Sequence, residues 1–212
     1  MSATIAIDIA LEPDATMIQH ARADNARLLK HFPNGFSLDA THHPHVSVLQ
    51  RYVETANLGP IFKTVGSVMA NETPLHWRLE AFKYYYIPAG HIGLAGIVVH
   101  PTDELLSLQQ KLIDAVVPFT VESATADAFF TTPDDPDINQ PTIDYIAAFV
   151  PHATGAHFNP HVTIGIDTAD RLNTMLAEPF DAFTFSPAGA SVYQLGNYGT
   201  ARKQLKLFSL ES

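Results

Sequence analysis

Two stretches of the chain carry one five-residue pattern: PHVSV at 44–48 and PHVTI at 160–164, with the histidines 116 positions apart. Each reads Pro-His-Val-hydroxyl-aliphatic. In a strand, residues i and i+2 share a face. His45 therefore stands beside Ser47, and His161 beside Thr163, while Val46, Val48, Val162 and Ile164 turn into the core. Two further His-x-(Ser/Thr) tripeptides occur, at His100 and His152. Pro101 breaks the first as a strand, and the second runs into ATGAH with no apolar partner to pin it. A single histidine in a sequence is most often structural, but two matched copies in matched strands argue for chemistry.

Two histidines on opposite sides of one site can divide labour, one as neutral base and the other as protonated acid. An ordinary pKa near ~6.5 makes both forms accessible around neutrality. The reaction that fits is in-line displacement at phosphorus. One ring takes a proton from the attacking water or hydroxyl, and the other protonates the departing oxygen. Ser47 and Thr163 would donate hydrogen bonds to the non-bridging oxygens. This chemistry needs neither metal nor cofactor.

With these motifs the chain resembles the 2H phosphoesterase superfamily, which includes RNA 2′,5′-ligase-like proteins and cyclic phosphodiesterases. The likeness extends to IAIDIALEP at the start, HIGLAGIVVHPTDELLSLQQKL in the middle and FNPHVTIGI later. It implies an α+β fold of two pseudo-two-fold-related lobes, with antiparallel sheets lining a central cleft and helices outside. It also implies His45, Ser47, His161 and Thr163 as the catalytic set. The substrates it implies are 2′,3′-cyclic nucleotides, RNA termini with cyclic phosphates, 2′,5′ linkages or ADP-ribose cyclic phosphate. Ser47 stands where threonine is common in the family, which keeps the hydroxyl but frees its rotamer.

The elements that must position these residues follow from periodicity. Residues 3–10 alternate as a strand, and a helix is expected over 15–31, ended by Pro33-Asn34-Gly35. The first motif strand runs 45–53, with Pro44 at its entrance, where a missing N–H does least harm. A helix over about 56–70 leads to strands at 75–87 and 91–100. Thr102 caps a helix that reaches about Val117. Residues 118–141 read as a loop, with an acidic, proline-rich insertion at about 131–141. A short helix over 142–150, the second motif strand over 161–166 and a helix over about 168–177 come next. FDAFTFSPAGASVYQLG and ARKQLKLFSL close the chain as strands around the turn at 197–200. Each half thus holds a proline-led motif strand, a helix and a pair of strands, an approximate duplication within one bilobal domain over 1–212.

Of 212 residues, 46% are apolar and 16% charged, which suits a globular chain. A net charge of −10 argues against a broad nucleic-acid surface but leaves room for a small nucleotide or an RNA end. Without cysteine, thiolate chemistry, disulfides and sulfur-ligated metals are excluded. No apolar run approaches the ~20 residues of a membrane span, and the start of the chain does not read as a signal peptide. A cytoplasmic monomer is the expectation.

Secondary sites are weaker. The turn NYGTARK could stack a base on Tyr198 and hold a phosphate with Arg202, against the plainer reading of a hairpin turn. Of Tyr84, Tyr85 and Tyr86, beside Lys83, half must be core. The DDPD segment lacks the ligand spacing of a calcium loop. A metal hydrolase is the rival enzyme, from His42, His43 and His45 together with His157 and His161 at i, i+4. Pro160 and the strand-like HVTIGI oppose a helix there. A non-catalytic nucleotide-binding module is the other rival.

Overall fold

In the computed structural model, which describes residues 3–208, strand β1 (Thr4–Pro13) gives way to helix α1 (Ala15–His31) at Asp14. The Asp14 carboxylate accepts from the Thr16, Met17 and Ser186 amides, so it satisfies helix-end donors and pins a distant loop. The motif strand β2 (Val46–Glu54), helix α2 (Leu58–Glu72) and strands β3 (Leu79–Ala89) and β4 (Ile92–Val99) follow. Thr102 caps α3 (Asp103–Val116), with its hydroxyl accepting from Leu105, as expected. Then come β5 (Thr120–Val121), α4 (Gln140–Ala147), α5 (Phe149–Ala153) and the second motif strand β6 (His161–Thr168). Helix α6 (Ala169–Leu176) and strands β7 (Phe183–Phe185), β8 (Pro187–Leu195) and β9 (Ala201–Phe208) complete the order. Ser209 and Leu210, the end of the last expected strand, lie outside the described residues.

Four boundaries differ from expectation, one being the helix expected over 142–150, which is split at Ala148 into α4 and α5. The strand expected from 75 begins at Leu79, because Pro74 opens a 3-10 turn through His76. The expected loop over 118–141 contains β5, a 3-10 turn at Ala126–Ala128 and a bridge between Thr132 and Asp135. The strand expected in FDAFTFSPAGASVYQLG breaks at Ser186, whose amide is turned to Asp14, and its two pieces join different sheets.

Every strand pairing is antiparallel. One sheet has the order β5-β2-β1-β8-β9 and the other β6-β4-β3-β7. Each half of the chain therefore contributes strands to both sheets, and the repeats are interwoven rather than side by side. The first helix of each repeat crosses to the other: α1 packs on β6, and α3 on β2. The apolar faces of α1 (Met17, Ala21, Leu28) and α3 (Leu105, Leu108, Leu112) are buried against those motif strands. This is the α+β arrangement of two antiparallel sheets with outer helices that the sequence resemblance implied. No helix among the described residues is long and apolar enough to cross a membrane.

Candidate active site

The two motif strands are irregular at the same point. Ile9 of β1 faces Leu49, but Ala10 faces Ser47, so Val48 is the extra residue of a β-bulge. In the second copy Ala95 faces Gly165 and Gly96 faces Thr163, so Ile164 is the extra residue. A bulge leaves a carbonyl outside the ladder, and a buried carbonyl needs a donor. The helix from the opposite repeat supplies it each time. Gln109 Nε2 of α3 donates to Val48 O at 3.0 Å, and Asn25 Nδ2 of α1 donates to Ile164 O at 2.9 Å. Both amides also hold the loop that leads into the partner motif. Asn25 donates to Phe36 O and accepts from Leu38 N, while Gln109 accepts from Gly155 N. Gly165 has φ 139, and a Cβ there would stand 3.0 Å from Asn25 Nδ2, so glycine permits the close approach. Sequence reasoning missed both amides. Their one signal was a polar residue on the apolar face of a helix.

The histidines are oriented alike. His45 Nδ1 meets His43 O at 2.7 Å, and His161 Nδ1 meets Asn159 O at 2.8 Å. A ring N–H bound to a carbonyl places a proton on Nδ1 and leaves Nε2 as the nitrogen open to other partners. Both rings border one cavity of about 270 Å³, together with Ser47 and Thr163. The structure thus brings all four predicted motif residues together.

Their surroundings differ. Asp8, in the middle of β1, has no solvent exposure, and its Oδ2 lies 3.2 Å from His45 Nε2. The same oxygen accepts from Ser47 Oγ at 2.5 Å and Gln50 Nε2 at 3.0 Å. The single Ser47 proton is thereby committed to Asp8, whereas the Thr163 hydroxyl has no partner among the described residues. Burial disfavours the charged form of both rings. At His45 the hydrogen bonding and charge of Asp8 outweigh that burial and raise its pKa. At His161 burial prevails, helped by the charge of His45, and the pKa falls to about 4. In the sequence Asp8 is a lone carboxylate inside an apolar strand, with no neighbour along the chain that marks its role.

Aromatic side chains form the walls. Tyr85 sets its ring edge against His161 at 4.7 Å between centroids. It lies across Gly96, where a Cβ would come within 2.6 Å of its ring. Tyr84 and Tyr86 point to the other face, donating to Asp24 and Asn173, so only the middle tyrosine of the run borders the cavity. Tyr145 also borders it, and burial, with the charge of Asp8, pushes its phenol up to about 12. Tyr198 borders the cavity from a left-handed conformation, φ 59, held by bonds from its amide to Thr142 and Asn197. A non-glycine residue held in that region carries strain. An apolar recess of about 500 Å³, walled by Ile87, Pro88, Pro141, Tyr145 and Tyr198, adjoins the cavity.

Arg202 is placed elsewhere. It is buried, paired with Asp135 and set over the Phe130 ring, and it borders a different cavity with His42. The DDPD segment thus supplies the counter-charge of Arg202. His42 stacks on Phe36 and His43 packs on Tyr193, so the histidine cluster of 42–45 is divided among separate contacts. His157 lies in a 3-10 turn and His161 in a strand, so their spacing does not lie on one helix. Among the described residues no three His, Asp or Glu side chains are grouped as metal ligands would be. His100 does not line the cavity; it is stacked on Phe82 and beside Glu80. His152, by contrast, borders the cavity with His157, a placement its sequence context did not foretell.

No protein-family model matches the chain, and no curated protein matches it significantly in sequence. Crystal structures of similar fold include TT0787 of Thermus thermophilus, with TM-score 0.55 and 15% identity over 97% of this chain and 98% of that one. Another is E. coli LigT complexed with NADP+, with TM-score 0.50 and 14% identity over 99% of this chain and 100% of that one. The fold is the one that the resemblance to 2H phosphoesterases implied.

Proposed function

We propose that the chain is a metal-independent phosphoesterase of the 2H type. It acts on a 2′,3′-cyclic phosphate or a 2′,5′-phosphodiester of a nucleotide or RNA end. The observation that carries this reading is the pair of histidines at equivalent places on two bulged strands, each tied back through Nδ1 to a carbonyl and both bordering one cavity. In-line displacement needs a base and an acid on opposite sides of phosphorus. A cavity flanked by two such rings supplies both.

Thr163 donates to a non-bridging oxygen, and the phenols of Tyr85 and Tyr145, kept protonated by burial, remain donors at neutral pH. The apolar recess beside Tyr145 and Tyr198 suits a nucleobase or ribose face. A small nucleotide is favoured over a long nucleic acid by the net charge of −10. The NADP+ complex of LigT, a protein of similar fold, is consistent with that substrate size. Arg202 has no part in holding the phosphate, because Asp135 occupies it.

The test is turnover of the four 2′,3′-cyclic nucleotides, ADP-ribose 1″,2″-cyclic phosphate and a 2′,5′-linked dinucleotide in the presence of EDTA. Hydrolysis of at least one is expected. Binding without turnover across the series would favour a non-catalytic nucleotide-binding module, and turnover abolished by EDTA would favour a metal hydrolase.

A further inference from the structure

Because the motif strands correspond residue for residue through the bulge, the positions around them can be compared one to one. In the first copy the neighbouring strand carries Asp8, paired with Gln50; at the same places the second copy carries Leu94 and Ile166. One motif therefore carries a carboxylate and a carboxamide at this pair of positions, the other two aliphatic side chains. Both rings are tied back alike through Nδ1, so this substitution is a chemical asymmetry that the duplication does not explain.

We propose that Asp8 is a positioning residue that assigns the roles: its buried carboxylate keeps His45 as the imidazolium that protonates the departing oxygen, and leaves His161 as the base. The proposal rests on the phosphoesterase reading above. Asp8 Oδ1 is buried with no partner, and the one ion-pair partner of this carboxylate among the described residues is His45. A neutral His45 would leave a fully buried carboxylate without counter-charge, which is strongly unfavourable. Asp8 also turns the Ser47 hydroxyl toward itself, so Thr163 alone of the two hydroxyls donates to phosphate.

In hydrolysis of a 2′,3′-cyclic phosphate, His161 Nε2 takes a proton from water as the water oxygen bonds to phosphorus. The bond from phosphorus to one ribose oxygen breaks, its electron pair stays on that oxygen, and the proton that His45 Nε2 shares with Asp8 Oδ2 in the resting site passes there as that contact is given up. Water is consumed, and a phosphomonoester and a free hydroxyl result. Solvent then returns a proton to His45 and removes one from His161, the first step driven by Asp8.

The titratable groups around His45 are Asp8 and Glu12 of β1, His43 of its own loop, Tyr193 of β8 and His161 of β6. Glu12 accepts a hydrogen bond from Tyr193, which leaves Asp8 as the carboxylate in contact with the ring. Tyr145, His152, His157 and Tyr198 border the same cavity.

The experiment combines histidine titration by NMR with turnover in the wild-type chain and in Asp8→Asn. Substrates are a 2′,3′-cyclic nucleotide and a nucleoside 4-nitrophenyl phosphodiester, whose leaving group departs without a proton. In the wild type His45 should titrate above ~6.5 and His161 below it. In Asp8→Asn the His45 titration should fall, moving the alkaline limb of the rate profile to lower pH. Turnover of the cyclic nucleotide should drop on the order of 10–100-fold at pH 8 and only a few-fold near pH 5.5. The loss should shrink with the 4-nitrophenyl ester. His161 titrating above His45 in the wild type would overturn the proposal, and that arm does not depend on the variant folding. So would an Asp8→Asn loss equal at every pH and for both leaving groups. A wild type that turns over neither these esters nor any substrate of the series above overturns the phosphoesterase reading itself, whereas the titration separately tests the hold of Asp8 on His45.

Discussion

Ser47 and Thr163 follow their histidines at the same distance, yet one hydroxyl is bonded to a carboxylate and the other is free to donate into the cavity. Thr163→Ala should therefore lower kcat on the order of 10²-fold, as for loss of one donor to a developing oxyanion, and Thr163→Ser should restore much of it. Ser47→Ala should cost less and should act through the environment of Asp8. His45→Ala and His161→Ala should each cost on the order of 10²–10⁴-fold. His100→Ala, whose ring stacks on Phe82 and does not line the cavity, should leave turnover unchanged; His152→Ala is no control, since that ring borders the site. The rate profile should be bell-shaped. Activity rises as His161 loses its proton near pH 4 and falls once His45, held protonated beyond its ordinary value, finally loses its own. The two limbs belong to a coupled pair. Steady-state kinetics of these variants across pH checks the set.

Among the elements, the bulges and the helices that satisfy them do the positioning. Asn25 and Gln109 each reach from a helix of one repeat to the bulge carbonyl of the other, and neither touches the cavity directly. Removing either amide leaves a buried carbonyl without a donor, at a cost of about 1–3 kcal/mol. Asn25→Ala and Gln109→Ala should each lower the unfolding free energy by that much, read as a lower denaturant midpoint at unchanged m, and should reduce kcat as the motif strand relaxes. Gly96→Ala should reduce kcat for another reason: its Cβ would displace Tyr85, which abuts His161. Comparing chemical shifts of the His161 ring in that variant with wild type would reveal the displacement.

For the molecule as a whole, pH acts on stability through histidines that respond in opposite directions. His161 and His42 are pushed to about 4, so below about 6.5 the unfolded chain takes up protons that the folded chain refuses. Both effects lower stability as pH falls from about 6.5 to about 4. His45 works the other way: its raised pKa contributes stability fully present below its ordinary value and lost as pH rises through the folded value. Thermal unfolding at pH 7 and pH 4.5 should therefore show a lower Tm in acid. His42→Gln, outside the proposed chemistry, should flatten that slope. A Tm equally pH-dependent in this variant would remove His42 as a contributor.

The duplicated pentapeptides determined the catalytic candidates, because a period of two puts histidine and hydroxyl on one strand face wherever the strand goes. Local signals likewise determined α1 and α3, capped by Asp14 and Thr102. The strand-sharing between repeats was not legible, since β7 and β8 read as one continuous strand until Ser186 is claimed by Asp14 from far along the chain. Nor was the placement of Arg202, whose partner Asp135 lies in a segment that composition marked only as a loop. The roles of Asp8, Gln50, Asn25 and Gln109 had the same character. A buried polar residue looks like a flaw in its own apolar pattern, and only packing reveals the distant group it satisfies. Tertiary structure decided those pairings because hydrogen-bond partners across a core have no fixed spacing along the chain, whereas the face a strand residue shows is set by its immediate neighbours.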